Sequence, residues 1–281
     1  MSEFQAPNTF PDALPNPTVT DYAAGGWLVT ALLGQFGFFI YILVFYAFPA
    51  VAGNLEAWND NVLLNQPPVE EGKYADTFAF GLHALGAGLI SVMGGLQLLP
   101  LLRHRMPTFH RWNGRLFVLL VVALTLSGYY LTWARGSQPK STSELGTSVN
   151  GLLILTFAAL AVPAAIYRRF DDHERWAIRL YLVSNAQWFL RIGGFGYFLI
   201  ARSLGAEVAF DGWFFQFWVW GCFLVPIAMA ELYFRTRYAG TLAIRWIGAA
   251  ALALGAVLTL FGNFVFSSFT VQLIQGNVAA G

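Results

Sequence analysis

The chain has 281 residues, 57% hydrophobic and only 11% charged, with a formal charge of +1 at pH 7. Soluble domains carry about 25% charged residues; this chain has too few polar groups to coat a water-facing globule, which excludes a soluble monomer, a disordered chain, collagen and a disulfide scaffold. Near-neutral charge with two lysines, Lys73 and Lys140, excludes nucleic acid as a partner, and the single Cys222 forms no internal disulfide.

A helix needs about 20 mostly apolar residues to cross the hydrocarbon core. Seven stretches qualify in chain order: roughly 26–51, 77–102, 114–134, 148–167, 176–201, 213–234 and 243–266. Each is apolar all round rather than alternating, which favours helices over a β-barrel. The predicted fold class is all-α: a polytopic integral membrane helix bundle of about seven transmembrane helices, forming one domain over 26–266. Residues 1–25 are a polar, Pro-rich tail without Lys or Arg and without a signal-peptide pattern. Residues 267–281 are a short C-terminal tail. The 52–76 connection is acidic and is read as either a small cap or a flexible loop. Helices 2 to 5 carry nearly all the unusual polar residues, and helices 1, 6 and 7 are read as packing or lipid-facing elements.

Basic residues set the orientation. The connections after helices 2, 4 and 6 hold Arg103, Arg105, Arg111, Arg115, Arg168, Arg169, Arg175, Arg179, Arg235, Arg237 and Arg245. The opposite side holds Lys73, Arg135, Lys140 and Arg202. The expectation is a multi-pass protein of the bacterial cytoplasmic (inner) membrane, its N-terminus cytoplasmic and its C-terminus outside.

The functional signal lies in polar residues at apolar depth. On the second helix, His83, Ile90, Gly94 and Gln97 share a line at 100° per residue, flanked by Gly86, Ala87 and Ser91. Such a small-residue face suits close approach of another helix or of a flat cofactor. On the fifth helix Arg191 lies near mid-depth, with Ser184, Gln187 and Trp188 on its face. Insertion scales put about 2.5–3.5 kcal/mol on an Arg at a helix centre, so such a residue normally faces the interior and pairs with an anion. No Asp or Glu stands at its depth; Glu231 is lower, toward the basic side. Two readings stay open: Arg191 meets a bound anion, or it snorkels toward Glu207 or Asp211. On the basic side His104, His110 and His173 supply either two axial ligands to an iron porphyrin or three ligands to a metal with an open position. Their spacing matches no zinc motif, and the alternative is headgroup anchoring by Arg and Trp. No phosphate loop, nucleophile elbow, zincin motif, acidic proton chain or pair of broken helices is present.

These marks, namely His83, Gln97, His110-Arg111, Gly114-Arg115, His173 with Arg175, Trp176 and Arg179, and then Arg191, resemble those of a family of uncharacterised bacterial membrane proteins classed as a domain of unknown function. The resemblance spans about 83–191. It implies a multi-helix membrane fold and no activity. A looser likeness is to b-type membrane cytochromes, which place histidines on successive helices and glycines where the porphyrin lies flat.

Three functional expectations follow. The first is a haem b-binding electron-transfer protein that exchanges electrons with a quinone. Its iron ligands are His110 and His173, with His104 as a further candidate, and Arg191 holds a propionate. The second is a small-molecule or lipid-binding or transport protein with His83, Gln97, Gln187 and Arg191 around an anionic group. The third is an accessory structural subunit among other membrane subunits, its aromatic surface suited to partners in the lipid bilayer.

Overall fold

A computed structural model describes residues 17–60, 66–136, 142–209, 212–237, 239 and 241–280. In chain order the long helices are α1 (Val19–Val51), α2 (Tyr74–Gln97), α3 (Pro107–Ala134), α4 (Ser143–Ile166), α5 (Phe170–Ser184), α6 (Ala186–Ser203), α7 (Trp213–Thr236) and α8 (Leu242–Gln275). No strand occurs among the described residues. All except α5 and α6 are individually long and apolar enough to span a bilayer. α5 and α6 follow one another through a kink at Asn185 and together are long enough for a further crossing. The chain is a polytopic helical membrane protein.

Helices α1, α2, α3, α4, α7 and α8 pack in that order into a ring, with α8 returning to α1. The α5–α6 helix runs through the ring against α2, α4, α7 and α8. Leu180, Tyr181, Leu182 and Val183 are four consecutive buried residues, so protein encloses the middle of this helix on every side. That position explains its composition: a helix shielded from lipid can carry charged and amide side chains that a lipid-facing one cannot.

Local chemistry sets the ends. Thr18 and Asp21 form a capping box, with both Thr18 N–H and its hydroxyl on Asp21 Oδ2 at 2.8 Å. This fills orphan donors of the first turn and starts α1 at Val19, upstream of the expected position 26. At the far end the last helix continues to Ala280, past the expected 266. α1 and α8, the first and seventh crossings, run parallel. The Thr20 hydroxyl donates to Arg245 O at 3.2 Å, Trp27 Nε1–H to Thr259 Oγ1 at 3.3 Å, and Asn263 Nδ2–H to Thr30 O at 2.9 Å.

The two ends differ in charge. At the basic end Arg237 lies 2.7 Å from Asp21 and 3.2 Å from Glu174, and Glu174 also meets Arg103 at 3.5 Å. These pairs tie α1, α5 and α7 to the connection after α2. At the opposite end the described part of 52–76 is a cap. Trp58 is buried and donates its indole N–H to Tyr46 O at 2.9 Å. Asn59 and Val69 exchange hydrogen bonds of 2.9 and 3.0 Å. Arg135 reaches Pro67 O, Glu70 and Asp76, and Tyr130 donates to Asp76 at 2.7 Å. One-turn π-bulges at Leu43–Ala47 and Tyr130–Ala134 lie under this cap. Lys140 and Asp211 fall outside the described residues.

Candidate functional site

The polar line of α2 faces α3. His83 Nδ1 sits 3.0 Å from Leu124 O and 3.2 Å from Ser127 Oγ. A carbonyl partner requires the proton on Nδ1, so Nε2 is an acceptor. Gly128 makes room for the ring: a Cβ there would stand 3.1 Å from His83 Cε1. At the other end of the line Gln97 Nε2–H donates to His110 O at 3.1 Å, and Asn113 Nδ2–H to Met93 O at 2.9 Å. The glycines between them are filled by neighbours. Gly86 takes Leu124, and Gly94 takes Phe117 and Tyr181. On another face Gly81, Gly88 and Gly95, at seven-residue spacing, take Trp58, Ile42 and Leu32. Close helix packing is thus what these glycines serve.

Arg191 is partly buried within the bundle. It donates an Nη1–H to Gln187 O at 3.0 Å, back along its own helix, and its guanidinium lies 5.4 Å from the Phe38 ring centre on α1. Its charge reaches His83 on α2 and Tyr46 on α1, the latter hydrogen-bonded to Tyr41. No carboxylate pairs with it among the described residues. Glu231 is already engaged: Arg179 holds it through Nε–H at 2.7 Å and Nη2–H at 2.6 Å. The structure therefore puts Arg191 within electrostatic reach of His83, and leaves Gln97 at the basic end with His110.

α1 contributes more than the sequence suggested. Read there as a packing or lipid-facing helix, it supplies Phe38 beside Arg191, and Gln35, whose Oε1 accepts the Tyr181 hydroxyl at 3.0 Å. Gln35 was legible by the reasoning that selects Gln97: it is the lone Gln inside an apolar run. Tyr181 and Asn185 carried no such mark, because they sit in a segment already rich in polar groups.

At the basic end His110 and His173 lie within electrostatic reach of each other. His173 Nδ1 is 3.0 Å from Ala161 O, which leaves its Nε2 open. His110 Nδ1 is buried without a partner. His104 is exposed on the short helix Pro100–Arg105. Among the described residues no three His, Cys, Asp or Glu side chains cluster as metal ligands. A porphyrin lying flat on the α2 glycines does not fit, because side chains of α1, α3, α5 and the cap fill that space.

A family model described as Predicted membrane protein (DUF2306) matches residues 80–234, more than half of the chain. It covers α3 to α6, nearly all of α7 and the last three quarters of α2, and so both His83 and Arg191. No curated protein and no solved structure matches the chain.

Proposed function

We propose, from the premise that this chain belongs to the DUF2306 family of membrane proteins, that it binds a small amphipathic molecule with an anionic headgroup at Arg191. The observation that carries this reading is a guanidinium inside the bundle with no carboxylate partner among the described residues. A guanidinium offers five N–H donors, of which one goes to Gln187 O. The remaining fork suits a carboxylate or phosphate, which would supply the missing counter-charge with bidentate geometry. His83 Nε2 adds an acceptor for a headgroup hydroxyl, and the Phe38 ring adds an apolar wall. By the positive-inside rule the arginine-rich end faces the cytoplasm of a bacterial inner membrane, so a periplasm-dependent reporter fused to the C-terminus would be active.

The probes are dodecanoate and dodecyl phosphate, added to the detergent-purified protein during thermal denaturation. Ligand at 100 times its Kd stabilises by about 2.7 kcal/mol. At least one probe is expected to raise the melting temperature of the wild type and not that of Arg191→Gln, with Arg191→Lys between them. An equal shift in wild type and Arg191→Gln, or no shift with either probe, would overturn the reading.

A second reading, a haem b electron-transfer protein, is favoured by the unpartnered buried Nδ1 of His110 beside His173. Bound haem supplies one-electron redox chemistry, and the two imidazoles are the side chains that would hold it. It predicts a Soret band with sharp reduced α and β bands from haem-replete cells, lost in His173→Ala. A featureless spectrum would sink it.

A further inference from the structure

Three polar side-chain atoms are enclosed without a partner around Tyr181 and the α5–α6 kink. Gln35, 1% exposed, spends its Oε1 on the Tyr181 hydroxyl while its Nε2 meets no acceptor. Asn185, 2% exposed, donates Nδ2–H to Tyr181 O at 2.8 Å while its Oδ1 accepts nothing. Trp188, 1% exposed, has an unpartnered Nε1–H. Gln35 and Asn185 hold the two ends of the same residue, Tyr181. Trp188 follows within one turn, its backbone N–H on Asn185 O at 3.0 Å. Exchanging the O and N of the Gln35 amide only moves the unmet group from nitrogen to oxygen.

Unmet polar groups are costly in an apolar interior and most of all in a bundle surrounded by lipid. Comparable buried groups elsewhere are satisfied, as with Trp58 by Tyr46 O, Asn113 by Met93 O and Ser91 by Ala87 O. The remaining unpartnered atoms, such as those of His110, Asn150 and Asn263, are scattered over other helices. The three atoms are two N–H donors and one carbonyl acceptor. A water molecule accepts twice and donates twice, and buried waters typically make about three hydrogen bonds to such groups.

We infer that ordered water is bound here at two places, one beside Asn185 and Trp188 at the kink and one at Gln35, at the hydroxyl end of Tyr181. The sites stand on these three residues alone, and a failure of anionic ligands to bind Arg191 would leave them intact.

The test is X-ray radiolytic hydroxyl labelling of the full chain, read by mass spectrometry, because radicals formed from bound water mark the side chains beside it. Trp58 is the internal control: it is 3% exposed, and its indole N–H is taken by Tyr46 O. Trp188 is expected to be labelled several-fold faster than Trp58. Equal rates would overturn the inference. Trp188→Phe gives a second readout, since removing an N–H that holds water lowers the melting temperature, whereas removing a truly unmet one raises it. A rise would overturn the inference. Should that variant fail to fold, the wild-type labelling ratio still decides.

Discussion

Gly262→Val is expected to lower the melting temperature of the purified protein by roughly 2–12 °C, from an overpacking cost of about 1–3 kcal/mol at about 2–4 °C per kcal/mol. A Cβ at Gly262 would stand 2.7 Å from Ile192 O, 2.9 Å from Ile192 Cβ and 3.0 Å from Ile192 C. Backbone atoms do not swing aside as a side-chain tip does, so relief requires α8 to move off α6. Opposite it, a Cβ at Gly196 would lie 3.9 Å from Gly262 Cα, so two glycines face each other where the helices cross. Without a hydrophobic drive between helices in lipid, this close approach supplies much of the association energy. Displacing α8 also strains the Asn263 bond to Thr30 O, which joins α8 to α1. Gly25→Ala is the control, since a Cβ there meets nothing within 4 Å. Thermal denaturation followed by size-exclusion chromatography measures both, and a Gly262→Val variant that melts with the wild type refutes the packing account.

Arg179→Ala is the second large effect, a loss of about 2–4 kcal/mol. Both Nε–H and Nη2–H converge on Glu231 Oε1, and the guanidinium lies 4.6 Å from the Trp176 ring and 5.1 Å from the Phe234 ring. Arg179 is 14% exposed and Glu231 35%. The loss therefore falls below that of a fully buried pair, because water reaches the orphaned carboxylate. Glu231→Gln keeps an acceptor for the guanidinium and should cost less. The double variant Arg179→Met with Glu231→Leu should be less destabilised than the sum of its parts, since neither charge is left alone. Melting temperatures of the four proteins close the cycle, and strict additivity would show that the pair does not couple.

The history of Glu231 shows where reading from sequence ends. Its depth near the basic side was legible, and that depth excludes it as a partner for Arg191. Its actual partner, Arg179, lies 52 positions away on another helix, and no periodicity within either segment connects them. His83 behaves in the same way. Its line with Gly94 and Gln97 was visible at 100° per residue, but whether the glycines admit a helix or a cofactor depends on what faces them. Leu124, Phe117 and Tyr181 decide that. The start of α1 is set by Thr18 and Asp21, a polar capping pair that lies ahead of the apolar run and so carries no hydropathy signal.

The sequence by itself determined the medium, the helical class, the approximate number of crossings and the side chains too polar for lipid. Hydropathy and basic-residue counts are local sums that need no partner. Only the tertiary structure decided that the most charged crossing is the enclosed one, that Arg191 meets Phe38 of α1, and that Gln35 and Asn185 take the two ends of Tyr181. Those meetings depend on how helices distant in the chain pack, and packing is set by the shapes of all the side chains between them.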